Sequence, residues 1–540
     1  MGLRKSHGAR NAPHTNRLGV RGFSYKKNGC KSSVGLWRPG LNRPELGLII
    51  ACAHIALAGM YPTRNRFSLW YKVSEPIVHQ WKKHVTAGIA VLAIAFYCCG
   101  CSWKSTLKAE TPPAASADKN NLVVSNKPGL IAATNPTPGW VEYTIQRMNG
   151  SAGRDSLPAR FQLVTATWGH ENAQMPNIVY MPEKQRLLMT IEYGPPTVRT
   201  VVIDSDDFGA TWSQRRWLHT DAQGKPDVGI TAGLTYLGNG FLTTSPESGT
   251  RYFSRDYGLS WNETAPVPKG ANGRDLYHWD PLLVDRSKSG QIIRLSETRW
   301  NETGAKRDDP KSKYSQAYFW SSTNLGKSWS EEAIVPAWHG VNEVALIRAG
   351  NGDIVAACRT DNPVRFVGEL DMYSGLGISI SSDNGASWST LNHLYEYGRH
   401  HPSLVVLPNG HIVMTYVVRI GYTDAGNGHP RFGIEAVISK DNGRTWDLDH
   451  KYILAYWTGQ VTGRNSWWGL SQTTSTVLLP DGSLLTAFGT GFRNEASQPL
   501  CKMDVGLVKW RVSNKAVNPD RTIRDAPFDS DLRNKFDPEK

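Results

Sequence analysis

An octapeptide that returns five times constrains this 540-residue chain more than any other feature. It reads SDDFGATW at Ser205–Trp212, SRDYGLSW at Ser254–Trp261, STNLGKSW at Ser322–Trp329, SSDNGASW at Ser381–Trp388 and SKDNGRTW at Ser439–Trp446. Successive copies start 49, 68, 59 and 58 residues apart, which leaves room for about four short strands per unit; repeats of that size mark propellers and arrays. A second repeat fills the intervals, as HPSLVVLPNGHIVMTYVVR from His401, STVLLPDGSLLTAFG from Ser475 and, loosely, NEVALIRAGNGDIVAACR from Asn342. Each copy reads as two antiparallel strands joined by a tight turn whose Gly takes a positive φ. Other runs, such as VVID, GLTYL and AYFWSS, are short and strand-sized, and no long amphipathic helix stands out.

Five visible units and one degenerate one predict an all-β chain: a six-bladed β-propeller of four-stranded antiparallel blades over 139–515. The last strand, around VGLVKWRV, is expected beside early strands such as FQLVTATW. Such closure leaves no sheet edge unpaired.

Composition agrees with a globular β-rich chain, since 40% of residues are hydrophobic, 10% aromatic, and 20 are Trp. A net charge of +14 would suggest a nucleic-acid partner. However, residues 1–83 carry 15 Lys/Arg against Glu45 and Glu75, so +13 of that charge lies there. The remainder is near neutral, and no nucleic-acid face is expected on it.

The basic stretch 1–83 has no apolar periodicity; it reads as unstructured, or as sequence ahead of a later start such as Met60. Lys82 and Lys83 then precede HVTAGIAVLAIAFY and CCGCS, the grammar of an export signal over 84–103. The apolar run is shorter than the about 20 residues a membrane helix needs. Gly100-Cys101 resembles the end of a bacterial lipoprotein signal, which would acylate Cys101; a membrane-anchoring helix is the alternative. The expected location is therefore periplasmic, outer-membrane-anchored or extracellular, with the membrane reached only through this N-terminal anchor. Residues 104–138, rich in Ala, Pro, Asn, Thr and Ser, read as a flexible tether, and 516–540 as a polar tail. Five of the seven Cys lie in the leader, so Cys358 and Cys501 give no disulfide framework.

In a propeller the innermost strands converge on one end of a central channel. Aligned repeats put Met175, Asp280, Glu343, His401 and Thr473 at equivalent entry positions, and Arg299, Arg359 and Arg419 at the exits. Two carboxylates, a His and three Arg at matching points make the candidate site. Trp279, beside His278, and Trp468, beside Trp467, are candidate stacking surfaces for a sugar ring. No phosphate-binding Gly-rich loop and no zinc-like His/Cys spacing appears, so neither a cofactor nor a metal is expected.

The octapeptide is similar to the Asp box, or BNR repeat, of the sialidase (neuraminidase) superfamily, and the resemblance covers roughly 140–515, as a divergent bacterial-type member. In that family the boxes sit on the rim away from the active site, which implies that Asp207, Asp256, Asp383 and Asp441 are structural. Asn324 in the third copy agrees, since a turn accepts Asn where a catalytic carboxylate would not. The family clamps a sialic acid carboxylate with three Arg, chemistry that suits the planar guanidinium fork. Glu343 and Arg359, separated by an Asn-Gly hairpin, resemble the family's nucleophile-assisting Glu and one clamp Arg; Arg419 and Arg299 are further clamp candidates. The pattern departs elsewhere. Gln174 stands at the first-blade Arg position, only Asp204 is available near the acid position, and Thr473 occupies the Tyr position, with Tyr373 and Tyr422 out of register.

The resemblance implies an exo-acting glycoside hydrolase that removes a terminal acidic sugar, sialic acid foremost, with a glycan as partner. A second reading makes Asp280, Glu343 and His401 the acid–base groups of an enzyme acting on uronate-containing polysaccharide. A third is a glycan-binding propeller without catalysis.

Overall fold

The computed structural model describes residues 139–515, except 151–152, 170, 195–197, 247–248, 302–313, 364–372, 423–430, 459–471 and 495–500. The chain divides into Met1–Ala114 and Ala115–Lys540, and every described residue belongs to the second unit. The leader, export segment, tether and C-terminal tail anticipated from the sequence lie outside the described residues, as does Trp468.

Twenty-five strands account for the described chain. It opens with β1 (Val141–Met148) and β2 (Arg154–Leu163), then forms one sheet from β3 (Asn172–Met181), β4 (Arg186–Gly194), β5 (Arg199–Ser205) and β6 (Arg216–Trp217). The second sheet holds β7 (Thr231–Gly238), β8 (Phe241–Pro246), β9 (Thr250–Ser254) and β10 (Glu263–Pro266). The third holds β11 (Leu283–Arg286), β12 (Ile292–Asn301), β13 (Gln316–Ser322) and β14 (Ala333–His339). The fourth holds β15 (Val341–Arg348), β16 (Ile354–Thr360), β17 (Gly375–Ser381) and β18 (Asn392–Tyr395). After these come β19 (Arg399–Val406), β20 (Ile412–Tyr422), β21 (Arg431–Ser439), β22 (Tyr452–Thr458), β23 (Thr474–Leu478), β24 (Leu484–Asn494) and β25 (Cys501–Trp510).

The expectation of six four-stranded blades is corrected here. Four sheets are four-stranded blades, but the remaining nine strands form a single sheet in the order β19-β20-β21-β22-β1-β2-β25-β24-β23. The cause is β1. One edge of it pairs with β2 along its whole length, while the other meets β22 at Gln146↔Ile453 and Arg147↔Tyr452. The repeat count separates two units that this pairing joins. The nine-stranded sheet curls almost closed, because its end strands touch: Thr474 Oγ1 donates to His401 O at 3.0 Å and Thr476 N–H to Ser403 Oγ at 3.1 Å. The chain's last strand does pair with an early one, Phe161 opposite Val508.

Alternation along the strands gives each sheet two apolar faces, and neighbouring sheets pack through them. Leu188 and Val202 of the first sheet meet Leu234, Leu242 and Trp261 of the second. Phe319 and Trp338 of the third meet Val344, Ile354 and Ala356 of the fourth. The fourth packs on β19–β21 through Val355, Ile378, Met414 and Val437, and the first packs on β23–β25 through Ile178, Met189, Leu485 and Leu507. Each fully buried side chain of this size contributes about 1.5–3 kcal/mol of transfer free energy.

The five octapeptides form one turn, built five times. Ser205 Oγ donates to Asp207 Oδ1 (2.7 Å) and accepts Gly209 N–H (2.8 Å), while Asp207 accepts Thr211 N–H (2.9 Å) and Thr211 Oγ1–H (2.6 Å). The same bonds recur around Asp256, Asp383 and Asp441. Asn324 reproduces them, its amide nitrogen donating to Ser328 Oγ at 2.7 Å. In each copy the residue before Gly also has positive φ, from Phe208 at 56° to Leu325 at 62°. These turns follow the third strand of their units, so antiparallel pairing such as Leu187↔Ser205 puts them at the opposite sheet end from Gln174↔Glu192.

Candidate functional site

Six strands, β3, β7, β11, β15, β19 and β23, surround one cavity of about 320 Å³. In four of them the ladder skips two residues at the same level: between Gln174 and Asn177, Ala232 and Thr235, Val341 and Val344, and His400 and Ser403. A bulge re-aims side chains that a regular strand would send up or down. The sequence writes two of these bulges as Met175-Pro176 and His401-Pro402, since Pro cannot donate to the ladder. Met175 and His401 both have φ of 51° and Gly233 has 65°. For His401, a non-Gly residue, that is a strained backbone held by its surroundings. At Gly233 a Cβ would stand 2.3 Å from His278 Nε2, so only Gly fits.

The bulges in β15 and β19 bring the central group together. Arg359 on β16 donates from Nη1 to Glu343 Oε1 at 2.7 Å and to His401 Nε2 at 3.1 Å. His401 Nε2 is thus the acceptor, and its proton sits on Nδ1, which lies 2.5 Å from Glu343 Oε2. That approach is off the line of a good hydrogen bond, so the imidazole covers Oε2 without a well-formed bond to it. Arg419 Nη2 stands 3.5 Å from His401 Nε2 and also donates to Gln472 O at 3.3 Å. Arg359 Nη2 reaches Ser374 Oγ at 3.4 Å. Glu343, Arg359, His401 and Arg419 are all buried.

Electrostatics divides the labour. Burial costs Glu343 its solvation, but Arg359 first, then His401 and Arg419, outweigh that and hold its pKa below the usual carboxylate value. His401 is pushed down to about 4, chiefly by burial, with Arg359 adding to the effect and Glu343 opposing it. It is therefore a neutral imidazole at pH 7. Asp280 is the opposite case. Burial and the nearby Glu343 charge raise its pKa well above the ordinary value, against one N–H bond from Val344. Its Oδ2 has no hydrogen-bond partner among the described residues. A buried carboxyl with a raised pKa, a second with a lowered pKa and a His with a depressed one thus share one site, the separation of pKa values that acid–base chemistry needs. Trp279, half-buried, lines the cavity with its ring 6.0 Å from that of His401. Thr473 lines it too, its hydroxyl without a partner among the described residues.

Arg299 is not part of this group. Its guanidinium pairs with Glu297 at 2.5 Å, and Arg251 reaches the same oxygen at 2.7 Å, with His278 Nδ1 at 3.3 Å. All four side chains are buried, so His278 offers no face to a sugar. Gln174 donates to Glu192 Oε2 at 2.9 Å, which puts a neutral amide and not a guanidinium at the first sheet's entry. Asp204 is at the other end of its sheet, paired with Arg216 at 2.5 Å. The Arg251–Glu297–Arg299 cluster was not anticipated. Its signal is Glu297-x-Arg299 on one strand, two charges on one face of a chain that is otherwise buried.

A family model described as a BNR repeat-like domain matches residues 230–451. No curated protein matches. A protein of unknown function from Dyadobacter fermentans DSM 18053 is 14% identical, covering 69% of this chain and all of its own, with a TM-score of 0.45. Trypanosoma rangeli sialidase in complex with sialic acid is 14% identical over 69% of this chain and 59% of its own, with a TM-score of 0.43. The GH93 α-L-arabinofuranosidase of Fusarium graminearum, bound to arabinobiose, is 13% identical over 62% and 92%, with a TM-score of 0.39.

Proposed function

We propose that this protein cleaves a glycosidic bond at an acidic sugar of a glycan, with a uronate favoured over sialic acid. The observation that carries the reading is the gathering of Asp280, Glu343, His401, Arg359 and Arg419 at one level of the ring, beside the cavity. Asp280 gives its proton to the leaving oxygen, where a protonated acid is most effective. Arg359 and Arg419 take the sugar carboxylate, and Trp279 offers its half-buried ring to the sugar. His401, backed by Glu343, is the base.

A uronate is preferred because Thr473 and Gln174 stand where a sialidase would have its Tyr and a further Arg. Glu343 Oε1 is bonded to Arg359 and its Oε2 lies against His401 Nδ1 at 2.5 Å, an arrangement unlike one that activates a Tyr hydroxyl. The chain is further proposed to act outside the cytoplasm, on the strength of the 84–103 export grammar.

The test is product release by the full-length protein from uronate polymers and from sialosides, beside Asp280→Asn. Release from uronate polymers that the variant loses supports the reading. Release from sialosides alone moves the substrate to sialic acid. Saturable binding of an acidic glycan without turnover makes the protein a binding module.

A further inference from the structure

The geometry points to β-elimination, not hydrolysis, as the way this site breaks a bond to a 4-linked uronate. The inference rests on the acidic-sugar reading above and settles what its base deprotonates.

Hydrolysis with an enzyme nucleophile needs a carboxylate or Tyr free to attack, and hydrolysis by water needs a base open to that water. Glu343 is hemmed in on both sides, its Oε1 bonded to Arg359 Nη1 at 2.7 Å and its Oε2 covered by His401 Nδ1 at 2.5 Å. The base that remains is His401 Nε2. Its lone pair faces two guanidinium nitrogens, Arg359 Nη1 at 3.1 Å and Arg419 Nη2 at 3.5 Å. Those are the groups a sugar carboxylate would bind. A carboxylate held by them carries its α-carbon, C5 of a uronate, towards the same nitrogen, and drawing the guanidiniums onto the carboxylate frees the lone pair. Pairing with two cations also neutralises the carboxylate, which makes the C5 proton more acidic. One arrangement therefore binds the group, activates the proton and removes it.

The step balances without water or a redox partner. The C5–H bond breaks and its proton passes to His401 Nε2. The electron pair forms the C4=C5 double bond, the C4–O bond breaks, and the departing oxygen takes the proton of Asp280. The imidazolium is held by Glu343 beside Nδ1, as a neighbouring carboxylate stabilises protonated His elsewhere. Proton exchange with solvent returns His401 and Asp280 to their starting states.

The experiment is digestion of polygalacturonate, alginate and hyaluronan by the full-length protein in heavy-oxygen water, with products reduced at once to prevent exchange at the new reducing end. Expected are products with the ultraviolet absorbance of an unsaturated uronate and no solvent oxygen. His401→Asn, chosen because Asn tolerates the left-handed backbone at this position, is expected to lower that signal on the order of 10²–10⁴-fold while keeping the wild-type thermal transition. Saturated products carrying solvent oxygen would overturn elimination and leave the acidic-sugar reading standing. No cleavage of any uronate polymer would overturn elimination, and no cleavage of sialosides either would overturn the acidic-sugar reading with it.

Discussion

His401 Nδ1 lies 2.5 Å from Glu343 Oε2, across the gap between the fourth sheet and the end strand of the nine-stranded one. Both residues sit in bulges, and both are buried. The pair needs the charge on Glu343 whenever His401 takes up a proton. Glu343→Gln keeps the shape and removes the charge. It is expected to reduce kcat by about 10²-fold or more, with KM for an acidic substrate changed far less. Steady-state kinetics on the cleaved glycan checks this, and equal loss in kcat and binding would contradict it.

The two perturbed groups set opposite limbs of a pH profile. His401 must be neutral to accept a proton, and its pKa is down at about 4, so activity rises as pH climbs through that value. Asp280 must be protonated to donate, and its pKa is raised, so activity persists past the ordinary carboxylate range and falls only at higher pH. The expected curve for kcat/KM is bell-shaped. Asp280→Asn should remove the falling limb as well as most of the rate. A wild-type profile that collapses between pH 4 and 5 on the way up would refute the assignment.

Stability should follow pH through the same histidines. His401 and His278 have pKa values of about 4 and about 3 when folded, against 6.5 when unfolded, each lowered mainly by burial. Between those values the unfolded chain binds more protons than the folded one, so stability is lost as pH falls from about 6.5 towards 3. Above 6.5 both states are neutral and the effect vanishes. Denaturant titrations across that window should give a falling midpoint, and the loss should shrink in His278→Asn if that variant folds.

The turn repeats supply frame and not chemistry. Asp441 accepts Thr445 N–H and Thr445 Oγ1–H and takes Ser439 Oγ–H, all on the far end of its unit from the site. Asp441→Ala removes those bonds, and with the Thr445 donors open to water the cost is about 0.5–1.5 kcal/mol for a typical bond. A lowered melting temperature with unchanged kcat is the expected result. A loss of activity at constant stability would assign the boxes a role they do not have here.

Much of this was legible in the sequence because it is written locally. Each octapeptide closes its own hydrogen bonds within a few residues, and the Glu343–Arg359 pair faces across a single hairpin. Asp280 and His401 were also visible, as the Asp-Pro and His-Pro that open inner strands. What the sequence concealed depends on pairing between distant strands. That β1 joins β22 as well as β2 rests on two residue pairs far apart in the chain, and no repeat count contains it. The fate of Arg299 was half hidden: its partner Glu297 stands two residues away, but Arg251, which shares that carboxylate, arrives on another sheet.

Arg299 and Arg359 hold equivalent exit positions, yet their surroundings separate them. Arg359 shares its donors among Glu343, His401 and Ser374, whereas Arg299 is locked with Arg251 on Glu297 and donates to Leu276 O at 3.2 Å. Lys carries the charge but not the planar fork, so each Arg→Lys change tests what the fork is for. Arg359→Lys should raise KM for an acidic substrate by roughly tenfold, the factor that about 1.4 kcal/mol represents, with a modest change in stability. Arg299→Lys disturbs a fully buried ion cluster, where removing a partner costs about 3–5 kcal/mol. It should lower the melting temperature and leave KM of the folded fraction unchanged. Thermal denaturation and kinetics on both variants decide the matter, and a raised KM in Arg299→Lys at wild-type stability would return Arg299 to the substrate.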